Sequence, residues 1–311
     1  MANLSEDRNR TVTQDLFCTT GSYAAYQKLL ISAVNITLSI TAFLGNILII
    51  IALKRVSSLR SPSKLLLGCL SSADLCVGLI TQSLFVAYIM SPEQTMLCYY
   101  LSILFNRLSI ILGGVSVSTL TAISVDRLLA LLLGLRYRHV VTLRRVQSYV
   151  VISWFFSIVT TLTSSYEVRV TLSITFSATI LCIVTSIFSY TKIYLTLRKH
   201  QAQVQGQAHQ GQPNGGGMPL NIIQYRKTVS SALWIQITLV VCYLPYGIEA
   251  IFVINKSRTQ FLDFAWELTL SLFMLNSTLN PLLYCWKIKE IRQAVMDTFR
   301  RFSCFSTQLP R

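Results

Sequence analysis

The sequence predicts an all-α membrane protein: a seven-transmembrane helix bundle followed by a short amphipathic cytoplasmic helix. Three observations carry this. The 311 residues are 52% apolar and only 13% charged, with a mean hydropathy of +0.54, whereas soluble domains place roughly a quarter of their residues on Asp, Glu, Lys and Arg. The charges are confined to short segments. Between those segments lie seven apolar windows, each near the length of about 20 residues that a helix needs to cross a hydrocarbon core of about 30 Å. Barrel strands would be about ten residues long with alternating polarity, a pattern these windows lack.

Taken in order, residues 1–28 are polar and lack the basic-then-apolar pattern of a signal peptide. They are expected to form an extracellular segment, with the first span acting as its own signal-anchor. The windows Leu29–Leu53, Gln147–Tyr166, Val170–Thr191 and Leu268–Trp286 hold no charge. Leu65–Met90 holds only Asp74, Met96–Val125 only Arg107, and Thr228–Ile254 only Glu249. The bundle therefore runs from 29 to 286. Within it, the Gln- and Gly-rich stretch 200–219 reads as a flexible cytoplasmic loop. In 287–311, Ile288, Ile291, Val295 and Phe299 recur at helical spacing, which predicts a helix lying on the inner leaflet. Cys304 just beyond them is either a palmitoylation site or a free thiol.

Net charge is +15, from 27 Lys and Arg against 12 Asp and Glu. On a soluble protein that would suggest a nucleic-acid partner, but here the positions of the charges speak for a lipid bilayer. Alternate connections collect 20 Lys and Arg on one side and 7 on the other. Basic loops stay cytoplasmic, so the N-terminus is expected outside and the C-terminus inside. The glycosylation sequons at Asn3, Asn9 and Asn255 all fall on the expected outer side. Of eight Cys only Cys18 and Cys98 lie on that side, so no disulfide framework follows.

An ionisable residue in mid-membrane costs at least about 2.5–3.5 kcal/mol, so Asp74 must face the bundle interior and have a role. Asn276 and Asn280 share a helix face, and with Ser277 and Ser116 they can build a polar cluster around its carboxylate. The cluster suits a hydrated Na⁺ or a proton; a hydrogen-bond network without an ion fits the same residues. Pro245 and Pro281 each remove a backbone hydrogen bond and should kink the sixth and seventh spans. Asp126-Arg127, taken alone, reads as an interfacial ion pair.

The ordered set of motifs says more. Asn46 after Gly45, Leu70-Ser-Ser-Ala-Asp74, Asp126-Arg127-Leu128, Trp154, Tyr190, Cys242-Tyr-Leu-Pro245 and Asn280-Pro-Leu-Leu-Tyr284 follow one another, one per span. In this the chain resembles the rhodopsin-like (class A) G-protein-coupled receptors, from about Leu29 to Cys304. The resemblance implies a plasma-membrane receptor for an extracellular ligand that signals to a heterotrimeric G protein as the sixth helix moves outward. It implies that Arg127 holds the inactive state through Asp126 and turns to the G protein on activation, with Tyr190 and Tyr284 approaching it. Tyr243 would be the toggle, Pro245 the hinge, and Asp74, Ser116, Asn276, Ser277 and Asn280 the allosteric Na⁺ site; no other cofactor is expected. The family's ligand pocket would be lined by Phe85 and Tyr88 from the second span and by Asn106, Ser109, Ile110 and Gly113 from the third. Tyr246, Glu249 and Ala250 from the sixth, and Trp266, Leu270 and Met274 from the seventh, would complete it. Apolar packing is the default role for most of these. Glu249 and Arg107 could anchor a charged ligand, pair with each other, or snorkel to the interface.

The departures from the family pattern also inform. Cys98 lies one turn farther out than the family's usual cysteine, and residues 164–176 hold no Cys for it to meet. A Cys18–Cys98 bridge is the remaining hypothesis. With only Glu167, Val168 and Arg169 between two neutral spans, no β-hairpin lid can form. Cys182 stands where a Pro is usual, Tyr243 where a Trp is usual, and Tyr225 in place of an acidic partner for Arg127. A lidless mouth and a proline-free fifth span are similar to the melanocortin, cannabinoid, lysophospholipid and adenosine group. Ser109 where an amine receptor has Asp, and Met274 where an opsin has Lys, exclude a monoamine and retinal; a lipid, peptide or nucleoside-like ligand remains. An orphan seven-helix protein and a secondary transporter are the alternatives, the latter requiring inverted repeats that are not seen. All three His are cytoplasmic and no nucleophile-base pair lies in the spans, so no enzyme is expected.

Overall fold

The computed structural model describes residues 25–92, 95–209, 234, 237–249, 251 and 260–306. Asn3, Asn9, Cys18, Tyr225, Ala250, Asn255 and residues 210–219 lie outside them, as does the side chain of Cys304, whose backbone is helical. The described elements are helices: α1 Ala25–Arg55, α2 Ser61–Met90, α3 Met96–Leu133, α4 Leu143–Thr163, α5 Val168–His209, α6 Ile237–Glu249, α7 Gln260–Lys287 and α8 Lys289–Ser306. The outer end of the bundle is the one at which α1 begins.

Local chemistry sets the ends of the helices. Pro62 occupies the first turn of α2, where its missing N–H costs nothing. Thr95 caps α3 by accepting from the Cys98 amide, and Thr142 caps α4 by accepting from the Arg145 amide. Gly134, at φ +49°, ends α3 in a conformation that other residues adopt only with strain. Most helices outrun their apolar windows, because backbone hydrogen bonding does not stop at the bilayer surface. Helix α5 continues to His209, so the first half of the predicted flexible loop is helical. That stretch is rich in Gln and Ala, which are good helix formers.

Five of the described helices, α1 to α5, are long and apolar enough to cross a membrane. Helix α6 is described over a shorter stretch. Helix α7 is 28 residues long, its apolar character diluted by Asn276, Ser277, Thr278 and Asn280 in mid-helix. Large apolar side chains such as Leu44, Phe155, Leu181 and Phe188 stand exposed around the bundle. A soluble monomer rarely exposes so much apolar surface; in a multi-pass membrane protein it faces lipid.

Helix α3 is central, packed on α2, α4 and α5, while α7 packs on α1. An outer core cluster gathers Phe85, Phe105, Trp266 and Met274; an inner one gathers Leu67, Leu70, Leu120, Leu239 and Tyr284. Helix α2 contains a π turn over Val77–Thr81 that the sequence did not announce. Such a turn displaces the regular hydrogen-bond ladder, and Ser39 of α1 donates to the Gly78 carbonyl at 2.6 Å. A Cβ on Gly78 would lie 2.9 Å from both Ala42 Cβ and the Phe43 nitrogen, so this glycine permits the close approach of α1 and α2. On α1 likewise, a Cβ at Gly45 would stand 3.0 Å from the ring of Pro281, which sits inside α7.

The α4–α5 connection is a tight turn, with the Glu167 amide donating to the Thr163 carbonyl at 3.0 Å; no hairpin lies there. At the inner end, α8 seats Ile291, Ala294 and Val295 against the bundle. Thr298 is fully buried, donates to the Ala294 carbonyl at 2.7 Å and accepts from Arg55 Nη1 at 2.8 Å. It therefore docks α8 to α1.

Candidate functional site

Asp74 is completely buried. Its Oδ1 accepts from Ser116 Oγ at 3.1 Å and from Ser277 Oγ at 2.8 Å, and its Oδ2 accepts from Asn280 Nδ2 at 2.7 Å. Helices α2, α3 and α7 thus converge on one carboxylate. Asn276 departs from the expected cluster: its amide donates to the Tyr243 hydroxyl at 3.4 Å, toward α6. The reason is angular, since residues four apart on a helix are offset by about 40° and need not meet the same partner. Asn46 ties α1 to the same level by donating to the Ser277 carbonyl at 3.0 Å.

The donor set suits a small hard cation. Ser116 and Ser277 keep lone pairs, and Asn280 Oδ1 is buried without a protein partner, so oxygen ligands surround a buried negative charge. Toward the inner end the seam continues through Tyr243, whose ring packs edge-on against Phe273 with centroids 5.0 Å apart. It reaches Tyr284, whose hydroxyl is also buried without a protein partner.

At the inner end of α3 the expected Asp126–Arg127 lock is replaced. Asp126 Oδ1 accepts from the Tyr137 hydroxyl at 2.5 Å and Oδ2 from Ser63 Oγ at 3.0 Å. Both carboxylate oxygens are engaged by neutral donors, and Arg127 instead lies within electrostatic reach of the buried Tyr190. Tyr137 belongs to the one-turn helix Tyr137–Val140 between α3 and α4. Burial, and then the hydrogen bond and charge of Asp126, hold its phenol above the ordinary range, so it remains a donor. Arg60, from the α1–α2 connection, stacks over the Tyr137 ring at 4.3 Å.

The ring of predicted ligand residues divides. Asn106, Ser109, Ile110, Gly113, Tyr246 and Leu270 line a cavity of about 340 Å³. Phe85, Tyr88, Trp266 and Met274 are not in its wall: they are buried members of the outer core, with the Phe85 and Phe105 ring centroids 5.0 Å apart. Their bulk and apolar faces favour packing over ligand contact. Glu249 is partly exposed, and Arg107 donates to Ser165 Oγ at 2.9 Å at the end of α4, so this arginine is held across the α3–α4 corner.

Sequence reasoning missed Glu267. It lies one residue outside the apolar window of the seventh span, yet it is fully buried and accepts from the Tyr88 hydroxyl at 3.3 Å. One turn on, Ser271 accepts from Asn35 Nδ2 at 2.9 Å. An acidic residue seven positions into a helix whose i+4 neighbour is Ser was the available signal.

Comparison with known proteins supplies the family. The family described as 7 transmembrane receptor (rhodopsin family) matches residues 45–168 and 160–284. Melanocortin receptor 4 of Danio rerio is 27% identical over 305 residues, covering 90% of this chain and 86% of that protein. Melanocortin receptor 5 of Rattus norvegicus is 25% identical, covering 87% and 83%. Melanocortin receptor 3 of Homo sapiens is 25% identical, covering 87% and 84%.

Proposed function

The chain belongs to the rhodopsin family of seven-transmembrane receptors, and from that premise we propose a plasma-membrane receptor, N-terminus outside, that signals to heterotrimeric G proteins through outward movement of α6. The family makes it a receptor and not an enzyme. The observation that carries the proposal is the polar seam through an apolar bundle. It runs from Asp74 and its three donors past Tyr243 and Asn276 to the unpartnered Tyr284 hydroxyl. Buried polar groups with unused hydrogen-bonding capacity can exchange partners, and so support two arrangements of similar energy.

Arg127 is already free of Asp126 and near Tyr190, the side from which a G protein would approach. Pro245, in α6, would be the hinge, because it lacks the N–H that would continue the ladder. Na⁺ at Asp74, Ser116, Ser277 and Asn280 would favour one arrangement, and a ligand near the outer end the other. Each acts only through its differential affinity for the two, and the coupling to G protein is reciprocal. The melanocortin receptors among the relatives support a peptide as one ligand class; Ser109 and Met274 speak against a monoamine and retinal.

Nucleotide exchange by a purified heterotrimer, with the full-length protein in nanodiscs, tests this. Exchange should exceed the receptor-free rate, and Arg127→Ala should return it to that rate. Equal acceleration by Arg127→Ala, or none by the wild type across the G-protein subtypes, would overturn the assignment.

A further inference from the structure

Taking the receptor reading as the frame, we infer that the chamber between α3, α4 and α5 binds a neutral, single-chain lipid that enters sideways from the bilayer. Its mouth opens toward lipid. Ile152 and Phe156 of α4 and Leu181 of α5 line the chamber, yet are 65%, 52% and 68% exposed. Exposed apolar side chains in mid-span face acyl chains, so an opening that they flank leads into the hydrocarbon and not into water. Helices α4 and α5 each pack more on α3 than on each other, and the chamber lies between them.

The wall selects by charge. Among the described residues, no Asp, Glu, Lys, Arg or His lines the chamber. A charged headgroup drawn inside would lose its hydration without gaining a partner, a cost of several kcal/mol or more. The wall is not inert, however. Ser109, only 8% exposed, has a buried hydroxyl without a protein partner, and the hydroxyls of Ser118, nine residues farther along α3, and Ser153 pair with each other. A hydroxyl, ester or amide head satisfies Ser109, while an apolar body lies toward the mouth.

Size selects again. The cavity of about 340 Å³ is at the lower end of small-molecule sites, roughly 300–1,000 Å³. It holds one short chain and head, not a two-chain phospholipid or a folded peptide. At the floor, a Cβ on Gly113 would fall 2.2 Å from Phe273 Cζ. The Phe273 ring packs on both Tyr243 and Tyr246. A ligand reaching that floor therefore touches the aromatic group through which α6 meets α7.

The test uses diazirine-tagged 1-monoacylglycerol with the full-length protein in nanodiscs, adducts being mapped by mass spectrometry without G protein. Adducts at Ile152, Phe156 and Leu181 should exceed those at Leu44 and Leu282, which are lipid-facing elsewhere, by about tenfold after correction for exposure, and untagged monoacylglycerol should compete. Ala178→Trp or Thr179→Leu should cut the chamber adducts several-fold and spare those at Leu44; thermal unfolding identifies which variant folds as the wild type does. Ser109→Ala should weaken competition about three- to tenfold, the worth of one hydrogen bond. Uniform labelling of all lipid faces, insensitivity to a folded chamber variant, or equal competition by a fatty-acid anion or a diacyl phosphatidylcholine would overturn the inference. Because labelling is scored without nucleotide exchange, failure here leaves the receptor reading standing, and failed exchange leaves this site standing.

Discussion

Replacing Asp74 with Asn should keep the bundle folded and abolish its response to Na⁺. In the wild type, Oδ1 accepts from two serines at 3.1 and 2.8 Å and Oδ2 accepts from Asn280 Nδ2 at 2.7 Å. The Asp74→Asn side chain still offers one acceptor to the serines but turns an amide nitrogen toward that of Asn280. Rotation of the Asn280 amide resolves the clash, because its Oδ1, buried and unpartnered in the wild type, then accepts. Each of the three bonds falls from about 1.5–3 kcal/mol to about 0.5–1.5 kcal/mol. Relief from burying a charge, worth several kcal/mol, offsets that loss. Stability without Na⁺ should therefore change little. A Na⁺ concentration about ten times its Kd should stabilise the wild type by about 1.4 kcal/mol and the variant not at all. Thermal unfolding in nanodiscs, with NaCl against choline chloride at equal ionic strength, reads this directly. A Na⁺-specific shift that persists in Asp74→Asn, or is absent from the wild type, would refute the assignment of the cation to this carboxylate.

Other outcomes follow from single contacts. Gly78→Ala should destabilise by about 1–3 kcal/mol through overpacking, since its Cβ meets α1 at 2.9 Å. Gly68→Ala, with nothing within 4 Å, should stabilise by up to about 1 kcal/mol; denaturation curves that ranked the two alike would contradict the packing described. Tyr137→Phe removes a hydrogen bond to a carboxylate, worth about 1.5–3 kcal/mol. It should speed amide exchange over residues 137–140 roughly ten- to a hundredfold, and unaltered protection would show that the bond does not hold the segment. Cys98 is disulfide-bonded, and Cys69, Cys76, Cys182, Cys242 and Cys285 are free. Peptide mapping without reductant should join Cys98 to Cys18, and alkylation of Cys18 under those conditions would dispose of the pairing.

Much of the site was legible because a mid-membrane charge admits few environments. Asp74 had to find donors, and Ser116, Ser277 and Asn280 stood on faces that could meet it. Contacts set by distant parts of the chain were less legible. Nothing in the sequence tells Asp126 to choose Tyr137 and Ser63 over its neighbour Arg127, because that choice depends on how the start of α2 and the α3–α4 connection fold against α3. The π turn at Val77–Thr81 carries no propensity signal; it follows from the fit of Gly78 against α1. Likewise, the family's ligand ring could be assigned by position, but Ser109 faces a cavity because α4 and α5 leave room beside α3, whereas Phe85 is taken up by packing on Phe105.

The proposed signalling requires two arrangements of the bundle that differ at the inner end of α6. At that end Trp234 lies against Trp286 of α7, with ring centroids 6.0 Å apart. Spin labels at Leu132→Cys on α3 and Ile237→Cys on α6, both exposed positions, report the separation by pulsed electron resonance in nanodiscs. Nucleotide-free G protein should create a longer-distance population, which excess GTP analogue removes. A single distance distribution, identical with and without a G protein whose nucleotide exchange the receptor is accelerating, would contradict it.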